Sequence, residues 1–200
     1  MDHGLRRRQI TDAVCRITVR GGLQAATFRE VAAEAGVSVR LVQYYFGTKD
    51  ELLLSTQRHV AERATGRIVA AVAATDGRPR AALRALLGSF IPVDQEGRDN
   101  MLVFVALHTA GLVDPTLARP EARQVPDALY ETVRSRLQEA APLPPGVDAD
   151  LEAAVLVGLV PSLAQGVLGG TYDADQAFTI LDYALTRALG RPPGHTGGAL

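Results

Sequence analysis

The sequence has few of the residues that build chemical sites. Its 200 residues include one cysteine, Cys15, which excludes a disulfide framework and a cysteine-based zinc site. The sequence contains no HExxH, P-loop, GxGxxG or GxSxG motif, and its four histidines are scattered. We therefore expect a protein that is not an enzyme and that binds neither a cofactor nor a metal ion.

Long hydrophobic runs are also scarce. Five arginines interrupt residues 1–20, which argues against a signal peptide. The charge-free segment 153–172 is long enough to cross a bilayer. Its helix breakers and polar residues favour a helix buried in protein instead. These residues are Gly158, Pro161, Ser162, Gln165, Gly166, Gly169 and Gly170. We therefore expect a cytoplasmic protein.

Charge is divided unevenly along the chain. The formal net charge is −1, but residues 1–50 carry +3 and the remaining residues carry −4. Lys49 is the single lysine among 21 lysine and arginine residues. A basic N-terminal quarter indicates an anionic partner for that end, although +3 also fits a solvated surface.

Helical periodicity runs through nearly the whole chain, without a convincing strand. Apolar residues at positions 10, 13, 14 and 17 form one stripe of a first helix. Later helices are expected at about 79–90, 95–112, 116–140, 149–168 and 174–189. The apolar segment 101–110 should be the central helix of the larger half. The predicted fold class is all-α.

Two short helices joined by a tight turn follow the first helix. Thr27 to Glu30 forms a capping box, Gly36 stands where a helix ends, and Ser38 is a good N-cap for the next helix. A second capping box, Thr48 to Glu51, opens a long fourth helix. The pattern predicts a helix-turn-helix, in which the second helix presents its exposed face to the DNA major groove.

Residues of that second helix divide into an inner and an outer set. Leu41 and Val42 can pack inward, which leaves Arg40, Gln43 and Tyr44 for DNA. Arginine can bond guanine bidentately and glutamine can bond adenine. The expected DNA-contacting residues are Thr27, Ser38, Arg40, Gln43, Tyr44, Tyr45 and Lys49, the last two nearer the phosphates.

Several of these assignments have structural alternatives. The helix pair can be a plain helical hairpin, and Thr27 and Ser38 can act only as caps. The arginines at positions 6–8 can form an arm on the phosphate backbone or a frayed, solvated terminus. Cys15 fits a small core residue better than a redox sensor.

Residues 8–53 resemble the TetR family of transcriptional regulators. The shared positions are Ile10, Ala13, Gly22, Thr27, Val31, Ala32, Ala35 to Ser38, Tyr44 to Phe46 and Lys49 to Leu52. The resemblance implies a three-helix DNA-binding domain, expected at 1–50, and a helical ligand-binding and dimerisation domain, expected at 51–190. Residues 191–200 are expected to be a disordered tail. The chain departs from the family at Gln43 and Thr18, where tyrosine and phenylalanine are usual.

The resemblance further implies a homodimer formed by the last two helices, 149–168 and 174–189. The apolar residues assigned to that four-helix interface are Val155, Leu156, Leu159, Leu163, Val167, Phe178, Leu181, Leu185 and Leu189. A two-fold dimer places two recognition helices about one DNA turn apart, which predicts a palindromic operator.

A small molecule is expected to release the operator. Candidate ligand contacts are Phe104, His108, Thr109, Tyr130, Arg134 and Gln165. A hydrogen-bonded core histidine is the alternative interpretation of His108. We therefore predict a homodimeric repressor. The alternatives are a ligand-binding protein of the same fold without a specific operator and, less favoured, a small helical enzyme.

Overall fold

The computed structural model describes residues 3–114, 116–117, 124–140 and 142–190. Over these residues the chain is α-helical, with one short 3-10 helix at Leu23–Ala25 and no strand. The helices are α1 (His3–Gly21), α2 (Phe28–Ala35), α3 (Val39–Phe46), α4 (Lys49–Ala73), α5 (Pro79–Gly88), α6 (Gln95–Val113), α7 (Gln124–Glu139), α8 (Ala149–Leu168) and α9 (Ala174–Leu189). The all-α prediction is confirmed. The predicted tail, 191–200, lies outside the described residues.

The chain divides into two compact units. The N-terminal unit contains Met1–Gly66 and Asp94–Arg123, and the C-terminal unit contains Arg67–Val93 and Gln124–Leu200. This division differs from the expected boundary after residue 50, because most of α4 and all of α6 belong to the N-terminal unit. The assignment of residues 1–50 to DNA binding and 51–190 to ligand binding and dimerisation remains a prediction.

The core of the N-terminal unit is built from the stripe that the sequence predicted on α1. Ile10, Ala13 and Val14 are fully buried, together with Val31 of α2 and Val42 of α3. The caps also form where expected. The Thr27 and Ser38 hydroxyls accept hydrogen bonds from the Glu30 and Leu41 amides, at 3.2 Å each. These caps stabilise the first turns of two helices that are each only eight residues long.

The turn between α2 and α3 depends on Gly36. This glycine ends α2 with φ 65° and ψ 35°, a left-handed conformation that costs glycine little. The chain therefore changes direction within a few residues, as a helix-turn-helix requires. At the other end of α2, the Thr27 capping box is only half formed, because the Thr27 amide donates to the Ala25 carbonyl at 2.8 Å.

The position predicted for α6 is wrong. Residues 101–110 were expected to form the central helix of the larger half, but α6 packs on α1 in the N-terminal unit. Only Gly97, Val103 and Leu107 of this helix are buried. An apolar sequence without a clear stripe does not specify which neighbour covers it, and here one side of α6 stays exposed.

The predicted start of α7 is also wrong. A helix was expected from residue 116, but Thr116 and Leu117 form a turn and α7 begins at Gln124. The Asp114 carboxylate accepts hydrogen bonds from the Thr116 amide (2.9 Å) and hydroxyl (2.7 Å). These bonds lower the pKa of Asp114 and compete with helix formation.

The C-terminal unit has its own apolar core, formed by α5, α7, α8 and α9. Fully buried residues include Leu83, Leu87, Leu137, Leu156, Leu181 and Leu185. Arg80 ties α5 to the end of α9 through bonds to the Leu185 carbonyl (3.2 Å) and the Gly190 carbonyl (2.6 Å). These contacts close the unit around its leucine-rich interior.

Helix α8 is long and apolar enough to span a membrane by length and composition, with 39% of that stretch buried. Its exposed side carries no charge after the first turn. The residues of this side are Leu151, Ala154, Val155, Gly158, Pro161, Ser162 and Gln165, and we call it the α8 face. Glycine, proline and polar residues on it fit contact with protein better than contact with lipid.

Candidate DNA-binding surface

The second helix of the helix-turn-helix, α3, separates its residues as a recognition helix must. Val42 and Phe46 are buried, whereas Arg40, Gln43 and Tyr44 are exposed. The three exposed residues are spaced i, i+3 and i+4, so they occupy one side of the helix. We call this side the α3 face. It carries a guanidinium, an amide and a phenol, which are groups that can form hydrogen bonds with base edges.

The remaining expected DNA contacts lie on α3 or at the N-terminal ends of helices in the same unit. Thr27 and Ser38 are exposed at the N-termini of α2 and α3, with their hydroxyl oxygens engaged as caps. Helix N-termini of this kind attract phosphate groups. Tyr45 is half-buried, and Lys49 is half-buried as the first residue of α4.

Arg7 of α1 holds the C-terminal end of α3. Its Nη1 donates to the Tyr45 carbonyl at 3.0 Å, and its guanidinium lies 4.8 Å from the centre of the Phe46 ring. Its Nη2 donates to the Ser55 hydroxyl of α4, also at 3.0 Å. Among the arginines at positions 6–8, Arg7 therefore positions α3 and does not extend as a free arm. No pattern in the sequence indicated this role of Arg7 or the part taken by Ser55.

A second group of contacts fixes α2 against α1. Glu34 pairs with both Arg20 and Arg16, the latter at 2.6 Å. The hydrogen bonds from Arg20 and Arg16 lower the pKa of Glu34 to about 2. Gln9 donates to the Ala35 carbonyl at 2.7 Å, which satisfies a carbonyl at the end of α2. The first helix thus sets the position of both helices of the DNA-binding motif.

Two residues of α1 that the sequence singled out, Thr18 and Cys15, are withdrawn from solvent to different degrees. Thr18, where the family usually has phenylalanine, is buried, and its hydroxyl oxygen has no hydrogen-bond partner. Cys15 is half-buried, and burial, with a smaller contribution from Asp12, raises the pKa of its thiol to about 11. A thiol with a raised pKa reacts slowly, which supports the core interpretation of Cys15.

The candidate ligand contacts fall into two groups. Phe104, His108 and Thr109 are exposed on α6 in the N-terminal unit, where the Phe104 and His108 rings stack 5.9 Å apart. The core interpretation of His108 is therefore wrong, since this helix buries its opposite side. Tyr130, Arg134 and Gln165 belong to the C-terminal unit.

The second group is partly engaged in the packing of its own unit. Tyr130 donates to the Asp150 carbonyl at 3.3 Å. Arg134 pairs with Glu131 at 2.6 Å, and the hydrogen bonds raise the pKa of Arg134. Gln165 is exposed on the α8 face. Tyr130 and Arg134 thus have structural roles that the sequence did not indicate.

Comparisons with known proteins agree with this geometry. Residues 10–56 match the family described as bacterial regulatory proteins, tetR family, and residues 79–190 match the BetI-type transcriptional repressor C-terminal family. The HTH-type transcriptional regulator PksA of Bacillus subtilis is 31% identical over 82% of this chain and 79% of its own length. The HTH-type transcriptional regulator BetI of Burkholderia thailandensis is 32% identical over 88% of this chain and 89% of its own length.

A solved structure gives the same result. A transcriptional regulator from Saccharomonospora viridis, in complex with choline, superposes with a TM-score of 0.80 at 25% identity. The match covers 90% of this chain and 95% of that one. The chain belongs to the TetR family of transcriptional regulators, whose members bind DNA through a helix-turn-helix. Its C-terminal region, residues 79–190, is of the BetI type.

Proposed function

We propose that the chain is a homodimeric repressor that reads a palindromic operator through the α3 face. The observation that carries this proposal is the separation within α3, where Arg40, Gln43 and Tyr44 are exposed over a buried Val42 and Phe46. Arg40 and Gln43 are the base-reading residues in this proposal, each contributing about 1–3 kcal/mol of discrimination between bases. Tyr44 stands beside them at the end of the helix.

Phosphate contacts fix the register of α3 on the duplex in this proposal. Thr27 and Ser38 cap two helix N-termini, and each hydroxyl keeps a hydrogen that it can donate to a phosphate. Tyr45 adds a phenol next to the α3 face. Lys49 adds a positive charge at the N-terminus of α4.

The dimer forms through α8 and α9. The α8 face supports this assignment because it is exposed and carries no charge after the first turn. It also extends along a helix of 20 residues. Five of the nine residues first assigned to the interface are buried inside their own unit instead: Leu156, Leu163, Val167, Leu181 and Leu185. Val155, one of the nine, is exposed and stays in the proposed interface, and the exposed residues Leu151 of α8 and Tyr183 of α9 are added to it.

Operator release follows from binding of a small molecule. The proposed contacts are Phe104, His108 and Thr109 within the N-terminal unit and, taken separately, Tyr130, Arg134 and Gln165 within the C-terminal unit. The stacked and exposed rings of Phe104 and His108 offer an aromatic surface to an organic ligand. Because the Saccharomonospora viridis relative is in complex with choline, choline is the first compound to test. Ligand binding need only favour a state with wrongly spaced recognition helices.

Membership of a transcriptional regulator family supports a cytoplasmic location and a function without catalysis. No group of three or more metal-ligating side chains occurs among the residues that the structure describes. In this proposal the chain acts through binding of DNA and of a small molecule.

Fluorescence anisotropy tests the proposal directly. DNA fragments flanking the gene are titrated with the native chain and with the double variant Arg40→Ala, Gln43→Ala, across a salt series. We expect tight binding to one palindromic segment and a loss of at least about 30-fold in the double variant. Arg136→Ala, on α7, is the matched control for removal of an arginine. Weak binding to every fragment, equal in all variants and steeply dependent on salt, would instead favour the ligand-binding alternative.

A further inference from the structure

The first residue of α1 contacts the exposed end of the recognition helix. The His3 ring lies 5.1 Å from the Tyr45 ring in an edge-on arrangement and 6.3 Å from the Tyr44 ring. Tyr44 and Tyr45 are themselves in edge-on contact at 5.5 Å. His3 and Tyr44 are both exposed. An imidazole is therefore placed beside the α3 face, although it comes from another helix.

The position of His3 is fixed by the residue one turn later. Arg7 lies on the same side of α1, four residues further along, and binds the Tyr45 carbonyl, the Phe46 ring and the Ser55 hydroxyl. These contacts join the first turns of α1 to the end of α3. The helix that carries His3 is thus fixed to both α3 and α4. This fixation lowers the entropic cost of forming a contact through His3.

The chemistry of the site suits a phosphate. A protonated imidazole has two N–H donors and a positive charge, and phosphate oxygens accept charge-assisted hydrogen bonds. The titratable groups that face His3 from α3 are the phenols of Tyr44 and Tyr45. Arg6 and Arg7 follow His3 along α1 and bring two positive charges to this end of the helix. A neighbouring DNA phosphate would favour the charged imidazole.

We propose that His3 binds a phosphate of the operator in its protonated form, so that operator binding takes up protons. The inference rests on the proposed function, because it requires α3 to lie on DNA. Histidine gains its charge between about pH 8 and pH 5. Since phosphate stabilises the charged form, the complex holds more protons than the free protein and affinity rises as pH falls. A dimer has two such residues.

Two substitutions at this position separate charge from shape. His3→Phe keeps an aromatic ring against Tyr45 but never carries a charge. His3→Arg carries its charge at every pH tested. Because the position is exposed, neither variant removes a core contact, and circular dichroism with thermal unfolding verifies that both fold. Any affinity tag is placed at the C-terminus of the full chain.

Operator affinity is measured by anisotropy at pH 6, 7 and 8 at constant ionic strength, using the duplex that the native chain selects. We expect the native chain to bind at least about fivefold more tightly at pH 6 than at pH 8. His3→Phe should show weak binding with most of that dependence lost, and His3→Arg should bind tightly throughout. At pH 6 the salt slope of His3→Phe should be lower by about 1 per protomer.

Two outcomes would overturn the inference in distinguishable ways. If His3→Phe keeps the affinity, pH dependence and salt slope of the native chain, His3 does not bind phosphate although the operator is recognised. If the native chain selects no duplex at any pH, the proposed function fails and the inference fails with it.

Discussion

Two exposed helix faces of this protein differ in nearly every respect. The α3 face presents Arg40, Gln43 and Tyr44 on a helix of eight residues, held by contacts from α1. The α8 face presents leucine, valine, glycine and proline on a helix of 20 residues. Groups that form directional hydrogen bonds suit a reading surface, whereas uncharged groups suit burial against another protein surface. In the proposed function, one face selects DNA and the other selects a second copy of the chain.

The largest effect should come from a charge on the α8 face. Val155→Asp places a carboxylate at a residue that is 59% exposed in the single chain and buried in the proposed dimer. Burial of an unpaired charge costs several kcal/mol, so the dimer dissociation constant should rise at least about 100-fold. Sedimentation velocity measures the change, and operator affinity should fall with it.

Val69→Asp is the matched control for this substitution. Val69 lies in the last part of α4, which belongs to the C-terminal unit as α8 does. It is 61% exposed, close to the value for Val155. It should leave the association state unchanged. Equal effects of the two substitutions, or a native chain that is monomeric at micromolar concentration, would contradict the assignment of the α8 face.

A smaller effect is expected inside the C-terminal unit. The Tyr172 ring packs directly on Gly166 of α8, so that a Cβ at this position would overlap the ring. Gly166→Ala should lower the free energy of unfolding by about 1–3 kcal/mol, because the ring must move. Chemical denaturation measures this change in the free energy of unfolding.

The exposed helical glycine of α4, Gly66, has open space around it and serves as the control. Gly66→Ala should raise the free energy of unfolding by up to about 1 kcal/mol through helix propensity. A stabilising Gly166→Ala would show that the close approach of Tyr172 is not required.

The smallest effect concerns the ion pairs that hold α2 on α1. The pKa of Glu34 is lowered from its ordinary value to about 2 in the folded chain, so its stabilising contribution is present above about pH 4.5. That contribution disappears as pH falls from about 4.5 to 2. Because these groups are solvent-accessible, Glu34→Gln should lower the Tm by at most about 3 °C at pH 7.

Thermal unfolding at pH 7 and at low pH checks the sign of this effect. The native chain and Glu34→Gln should converge in Tm as pH approaches 2. A difference that grows towards low pH would contradict the direction of the Glu34 pKa shift.

The sequence predicted what depends on neighbouring residues in the chain. The caps at Thr27 and Ser38, the left-handed Gly36 and the alternation of buried and exposed residues in α3 are all local signals. They allowed the fold class and the helix-turn-helix to be predicted, and the candidate DNA-contacting set lies around it.

The sequence did not predict contacts between distant residues. Arg7 binding α3, His3 touching Tyr45 and α6 packing on α1 each join residues far apart in the chain, without a periodic signal to mark them. The error at α6 has the same origin, since apolar residues on all sides fit several neighbours equally well. The residues of α8 that stay exposed could be identified only once the structure showed which of its apolar residues are buried in the core.

The central claim, that two α3 faces of one dimer read one operator together, is tested most directly by stoichiometric titration. The native chain is titrated into the selected palindromic duplex and into the same duplex with one half-site scrambled, and the complexes are weighed by native mass spectrometry. The account predicts two protomers on the palindrome and an affinity at least about 100-fold lower on the scrambled duplex. One protomer per duplex, with equal affinity for both sequences, would contradict it.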